Sequence, residues 1–280
     1  MGATFVVTLR EAFEAALLLG IVYTYLDKIG ARDQFRAVTL GGVLGFLGAV
    51  LAGVAVSLLS GPLLDLGPDV IGAGVLFVAV AVLTWHGWWM RRHARAVKGD
   101  VHRRIDEARG EHRAWVVGTI AFVGVFREGA ETVLFLWGLM TQADVTGWGG
   151  LAGGVLGVGS ACVLGWMLFR GGRHVGLQRF FAVTSVFLLL LAAGLFSAGV
   201  GKLESLGVLP VTPTLWDTSH ILSDGGGIGG FLAGLIGYRA RPSLLEALAY
   251  TSYLLVAGTL FFGLSSRPTA PLRTGEPAVS

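Results

Sequence analysis

Two apolar stretches of this chain, about 4–26 and 114–141, carry the same charged pattern. The first holds Arg10-Glu11-Ala12-Phe13-Glu14 and the second Arg127-Glu128-Gly129-Ala130-Glu131. Each stretch is long enough to cross a bilayer as a helix. An ionisable side chain held at that depth costs ~2.5–3.5 kcal/mol or more. Six such charges at one repeated spacing constrain the chain strongly. A fold that accepts them has to gather them and compensate them, and the natural reading is a cation pathway.

The remaining sequence agrees with a membrane setting. It is 54% hydrophobic and 14% charged, with mean hydropathy +0.71, whereas soluble domains are roughly one quarter charged. Seven apolar spans are expected, at about 4–26, 37–60, 69–90, 114–141, 148–169, 179–201 and 243–264. The expected class is therefore an all-α polytopic membrane protein, with one membrane domain over 1–264 and a disordered cytoplasmic tail over 265–280. The alternating pattern of a membrane β-barrel is missing. The N-terminus lacks the basic start and unbroken apolar middle of a cleaved signal, so it is read as the first span. Cys162 lies alone in an apolar segment and is read as a small buried side chain.

The net charge of +3 reflects topology, and no nucleic-acid partner is expected. The first, third and fifth loops hold fourteen Lys and Arg, and the second and fourth hold none. The positive-inside rule then places the N-terminus outside and the C-terminus in the cytoplasm. The third loop, 91–113, is read as a solvated basic segment that touches anionic lipid, with a short cytoplasmic helix as its alternative form.

The charged motifs lie 117 residues apart. Gly41-Gly42-Val43-Leu44-Gly45 returns as Gly153-Gly154-Val155-Leu156-Gly157, 112 residues on. Spans 1–3 thus look like a copy of spans 4–6. Three spans is an odd number, so the second copy enters the membrane from the opposite side, giving two inverted three-helix repeats plus a seventh helix. Proteins built this way hold their site near the midplane between the halves. The glycines are read as small-residue stripes that let helices approach closely.

Glutamates three apart share nearly one helix face. Each motif therefore offers two carboxylates to a common cavity, and antiparallel alignment puts Glu11 nearer Glu131 and Glu14 nearer Glu128. Glu11, Glu14, Glu128 and Glu131 are the candidate metal ligands, with Arg10 and Arg127 as charge partners. Carboxylate oxygens suit hard cations such as Fe³⁺, Mn²⁺ or Ca²⁺. Four Glu and two Arg sum to −2 when ionised, a charge that a trivalent ion balances without being trapped. The plain alternative is a pair of buried salt bridges between helices, for which the extra Glu in each motif is not needed.

Other polar residues are weaker candidates. His86 stands beside Trp85, Trp88 and Trp89 and is read as an interfacial polar residue within an aromatic belt. The segment 202–242 is broken by Pro210 and Pro213, and its apolar stretch 228–238 is too short to span. Asp217 and Asp224 there, with Glu246 at the start of span 7, form a possible outer vestibule.

The paired motifs in spans 1 and 4 of a seven-span chain resemble the oxidase-dependent iron permeases, also called the iron/lead transporter family. The stretches Leu215-Trp216-Asp217-Thr218-Ser219 and Gly237-Tyr238-Arg239-Ala240-Arg241-Pro242 resemble the bacterial EfeU-type branch. The resemblance implies import of ferric iron across the inner (plasma) membrane, with the motif glutamates as iron ligands. It implies no cofactor beyond the transported ion. The partners it implies are a periplasmic iron-binding protein and a haem peroxidase, or a ferroxidase. Three positions depart from the family: Ala12-Phe13 replaces a glycine form, His86 stands where Met is expected, and Gly201-Lys202 replaces a polar pair. Transport of Mn²⁺ or Pb²⁺ by the same site is an alternative. An intramembrane metalloenzyme is another, but a di-iron carboxylate oxidase needs Glu-x-x-His motifs and neither motif supplies one.

Overall fold

The structure is a computed structural model that describes residues 1–66, 68–108, 111–142, 147–169, 177–224 and 227–262. The expected tail at 265–280 lies outside them. The helices are α1 (Gly2–Lys28), α2 (Phe35–Leu66), α3 (Pro68–Glu107), α4 (Glu111–Gln142), α5 (Gly147–Phe169), α6 (Leu177–Ser205), α7 (Gly227–Ile236) and α8 (Leu244–Phe262). A short 3₁₀ turn, Arg32–Gln34, precedes α2.

Among the described residues, four segments are long and apolar enough to cross a membrane: Arg32–Leu59, Val70–Trp89, Trp148–Met167 and Phe180–Ser205. Leu244–Leu260 is a shorter apolar helix. Helices α1 and α4 fall outside that group because the charged motifs interrupt their apolar runs. The expected third loop is corrected. Helix α3 runs without a break from the third apolar span to Glu107. Its Arg, Lys and Ala residues are good helix formers, and no proline interrupts them.

Two glycines end helices at the required left-handed position. At Gly30 (φ 73°) the amide donates to Asp27 O, and Ala31 N donates to Leu26 O. At Gly207 (φ 71°) the amide donates to Glu204 O, and Val208 N donates to Leu203 O. Both are Schellman closures of the last carbonyls. Helix α8 begins with a capping box. Ser243 N donates to Glu246 Oε2 at 3.0 Å, and Glu246 N donates to Ser243 Oγ at 3.1 Å, satisfying donors that a helix start otherwise leaves free.

Packing is reciprocal. Helix α2 lies chiefly against α4, and α1 against α5. The glycine stripes make both approaches possible. Gly41 faces the carbonyl of Gly118, and Gly45 that of Phe122; Gly153 faces the carbonyl of Met1, and Gly157 that of Phe5. Gly118 and Phe122 follow Met1 and Phe5 by 117 residues, the interval that separates Arg127 from Arg10. The outer faces of α2 and α5 are apolar and exposed, as at Leu44, Leu51, Leu58, Leu151, Val155 and Trp166, and Cys162 of α5, expected to be buried, is exposed as well. A patch of this extent requires a covering, which lipid supplies.

The interior has two apolar clusters with a polar layer between them. One contains Val7 of α1, Leu83 of α3, Phe135 of α4 and Leu195 of α6. The other contains Val22 and Leu26 of α1, Val101 and Ile105 of α3, and Val117 and Ala121 of α4. Helix α1 passes from the first cluster to the second, and α4 passes from the second to the first. The two helices are therefore antiparallel, and both charged motifs fall between the clusters.

A methyl group on Gly157 would sit 2.8 Å from Phe5 O and 2.9 Å from Leu9 N. Gly157→Ala is expected to cost about 1–3 kcal/mol by overpacking. The check is the melting temperature of the detergent-purified chain, with Gly159→Ala, which meets nothing within 4 Å, unchanged beside it.

Candidate metal centre

The motif on α1 is anchored from behind. Phe13, one of its middle residues, is fully buried, and its ring lies 4.6 Å from that of Phe180 and 6.0 Å from that of Phe181 on α6. This turns Arg10, Glu11 and Glu14 toward α3 and α4. The middle positions thus contribute packing and no metal-binding atom.

Arg10 serves its own motif. Its Nη1 donates to Glu11 Oε1 at 3.0 Å, and its Nη2 lies 2.9 Å from Glu14 Oε1. The side chains of Arg10 and Glu11 are 3% and 1% exposed, so water does not compensate them. Arg127 is more open. Its Nε donates to Glu131 Oε1 at 3.0 Å, and its guanidinium lies 4.8 Å from the Trp89 ring centre.

Helix α3 adds a residue to the layer. His86 is 1% exposed and sits between the two motifs. Its Nδ1 is 2.6 Å from Glu131 Oε2, and its Nε2 is 3.6 Å from Glu14 Oε2. Arg127 Nη2 also lies 3.1 Å from Nδ1. The expectation of an interfacial histidine is thereby corrected. His86 continues the buried stripe Leu76, Ala79, Leu83 along α3, and this periodicity is the signal in the sequence that would have found it. The neighbouring tryptophans obscured it.

One atom each from Glu11, Glu14, His86 and Glu128 lies within 4.8 Å of the others. Among the described residues this is the one group of His, Cys, Asp and Glu donors close enough to share a metal ion. Glu131 stands beside it, held by His86 and Arg127. The expected ladder of Glu11 with Glu131 does not form: Glu11 meets Glu128, because His86 takes the place against Glu131.

The layer is under-satisfied. No aligned hydrogen bond reaches Glu11 Oε2, either Glu14 oxygen, Glu128 Oε2, Glu131 Oε2 or His86 Nε2, all buried. Buried polar atoms in native proteins nearly always have partners, and facing carboxylates repel. A cation held between them would remove both penalties. The set combines carboxylate oxygen with one imidazole nitrogen, suited to first-row ions such as iron and manganese.

The other acidic candidates have local partners. Asp217 accepts from Ser219 N at 3.0 Å and Ser219 Oγ at 2.6 Å, and Arg241 Nε lies 3.0 Å away. The Ser219 hydroxyl, then Arg241, hold its carboxyl below the usual range. Asp224 accepts from Ala240 N at 3.1 Å. Glu246 closes the capping box and lies 3.7 Å from Arg239. All three tie the segment before α8 in place, and none joins the buried cluster.

The chain matches the model of the Iron permease FTR1 family over residues 1–266. The chain belongs to that family. It is 32% identical over 264 residues to the ferrous iron permease EfeU of Escherichia coli O6:K15:H31 (strain 536 / UPEC), covering 93% of this chain and 95% of that protein. It is 32% identical over 273 residues to the protein of that name from Yersinia pestis, covering 96% of each. No solved structure matches. The chain is thus a permease, not an enzyme, and its apolar helices make it a multi-pass membrane protein.

Removing one member of a buried ionic group leaves the others uncompensated and costs about 3–5 kcal/mol. Arg10→Gln is expected to show a loss of that size in unfolding measurements on the purified permease, and Arg10→Lys a smaller one.

Proposed function

We propose that this permease imports iron across the inner membrane through the layer formed by Glu11, Glu14, Glu128 and Glu131, with Arg10 and Arg127 limiting the repulsion among them. The observation that carries this reading is the convergence, within 4.8 Å, of one buried donor atom each from Glu11, Glu14, His86 and Glu128 on α1, α3 and α4, in a layer where several buried oxygens lack an aligned hydrogen bond. Two apolar clusters enclose the layer on either side, so an ion would sit in an occluded chamber. Release to either side then requires the helices to part around it, as in alternating access.

The proposed architecture is seven membrane spans, α1 to α6 and α8, arranged as two inverted three-helix repeats and a final helix. The reciprocal glycine contacts and the antiparallel course of α1 and α4 support it. The basic segments after spans 1, 3 and 5 favour an N-terminus outside and a C-terminus inside. The short helix α7, ten residues long, lies on the outer side with the segment that contains Asp217 and Asp224. That face is the proposed approach for iron and for an external partner, a periplasmic iron-binding protein with a haem peroxidase, or a ferroxidase.

The cargo is proposed as ferrous iron. An imidazole lies among the clustered carboxylates, and the relatives carry ferrous iron in their names. Ferric iron, favoured by a purely carboxylate site, is the second reading, with Mn²⁺ as a competitor.

Uptake of ⁵⁵Fe into vesicles containing the purified chain tests the proposal, run with ascorbate for Fe²⁺ and with citrate for Fe³⁺. Glu11→Gln with Glu128→Gln is expected to reduce uptake more than about tenfold, beyond the loss of a mere supporting residue. Full uptake by this double variant would refute the assignment of the site.

A further inference from the structure

We propose that His86 binds the transported ion directly through Nε2, and that Glu131 acts on the ion through His86 instead of binding it. This rests on the location of the iron site proposed above, and changes its ligand set.

The two ring nitrogens of His86 have different surroundings. Nε2 is buried, makes no hydrogen bond, and faces the cluster 3.6 Å from Glu14 Oε2. Two donors on one first-row ion sit roughly 3–4 Å apart when each is about 2.1 Å from the metal. Nδ1 is 2.6 Å from Glu131 Oε2 and 3.1 Å from Arg127 Nη2. A histidine on a metal generally has its other ring nitrogen held by a carboxylate, which fixes the ring and raises its basicity. His86 and Glu131 have this arrangement before any ion is considered. With an ion on Nε2, Nδ1 carries the ring proton and donates it to Glu131; Arg127 Nη2 then turns from Nδ1, which can no longer accept from it, while its Nε keeps the bond to Glu131.

Glu131 is poorly placed as a ligand. Arg127 Nε donates to Oε1 at 3.0 Å, and Oε2 lies against Nδ1. Glu11, Glu14 and Glu128 each present an oxygen with no aligned hydrogen bond to the space that Nε2 faces. The two motifs are alike in sequence but unequal in role. The first presents both its carboxylates to the ion; the second presents Glu128 and spends Glu131 on orienting the ring.

The test is iron K-edge X-ray absorption on the full chain, purified and loaded with iron. Wild type is expected to show the outer-shell scattering of one imidazole ring beside an oxygen-rich first shell. His86→Gln should keep bound iron and lose the ring signal. Glu131→Gln should keep the ring signal while affinity falls about tenfold to a hundredfold. An all-oxygen environment without imidazole in iron-loaded wild type would overturn the inference and leave the carboxylate site standing. So would a Glu131→Gln sample that alters the first oxygen shell and leaves the ring signal at full affinity. Iron that stays bound, unchanged, in Glu11→Gln with Glu128→Gln would overturn the site itself.

Discussion

The repulsion among buried carboxylates is the constraint around which this molecule is arranged. Three glutamates and a histidine converge in a buried layer. Arg10, itself buried, compensates the first motif, and Arg127 the second. Left alone, such a group is a liability, because charge pairs taken out of water seldom recover their hydration. The fold nonetheless gathers them, anchoring one motif through Phe13 and pressing the other against α2 through Gly129, which faces Ala49. Packing this firm around an unfavourable charge arrangement is what a site for a passing cation requires: it must attract the ion and still let it leave.

The surrounding helices follow from that need. Helices α2 and α5 turn glycines inward and leucine and valine outward, so the backbones of α1 and α4 are gripped closely while lipid covers the other face. With no hydrophobic force between helices inside lipid, close backbone approach supplies the cohesion. The apolar clusters flank the layer on either side. With the ion at the proposed site, transport and structure make opposite demands on the same contacts, since the packing that would isolate the ion is the packing that would have to open.

Much of this was legible in the sequence, for physical reasons that differ by element. The two motifs stood out because charge in an apolar run is costly, and the glycine pattern because small residues recurred at a matching interval. The approximate spans followed from apolar length. Helix α3 was longer than expected because the dense charge of its extension suggested a solvated loop, although Val101, Ile105 and Ala108 recur there at helical spacing and are buried. His86 was misread because three nearby tryptophans suggested an interface, while the buried stripe that includes it was the stronger signal. The pairing of Glu131 with Arg127, four residues before it, was expected, but its contacts with His86 were beyond sequence reasoning. They depend on how far α3 intrudes between α1 and α4, a tertiary distance that no local pattern encodes.

The account stands or falls on where the ion sits. Anomalous diffraction at the iron edge from crystals of the iron-loaded permease would locate it directly. A single peak enclosed by Glu11, Glu14, Glu128 and the Nε2 of His86, between the two apolar clusters, is the predicted result. A peak confined to the segment around Asp217 and Asp224, with the buried layer empty, would contradict it.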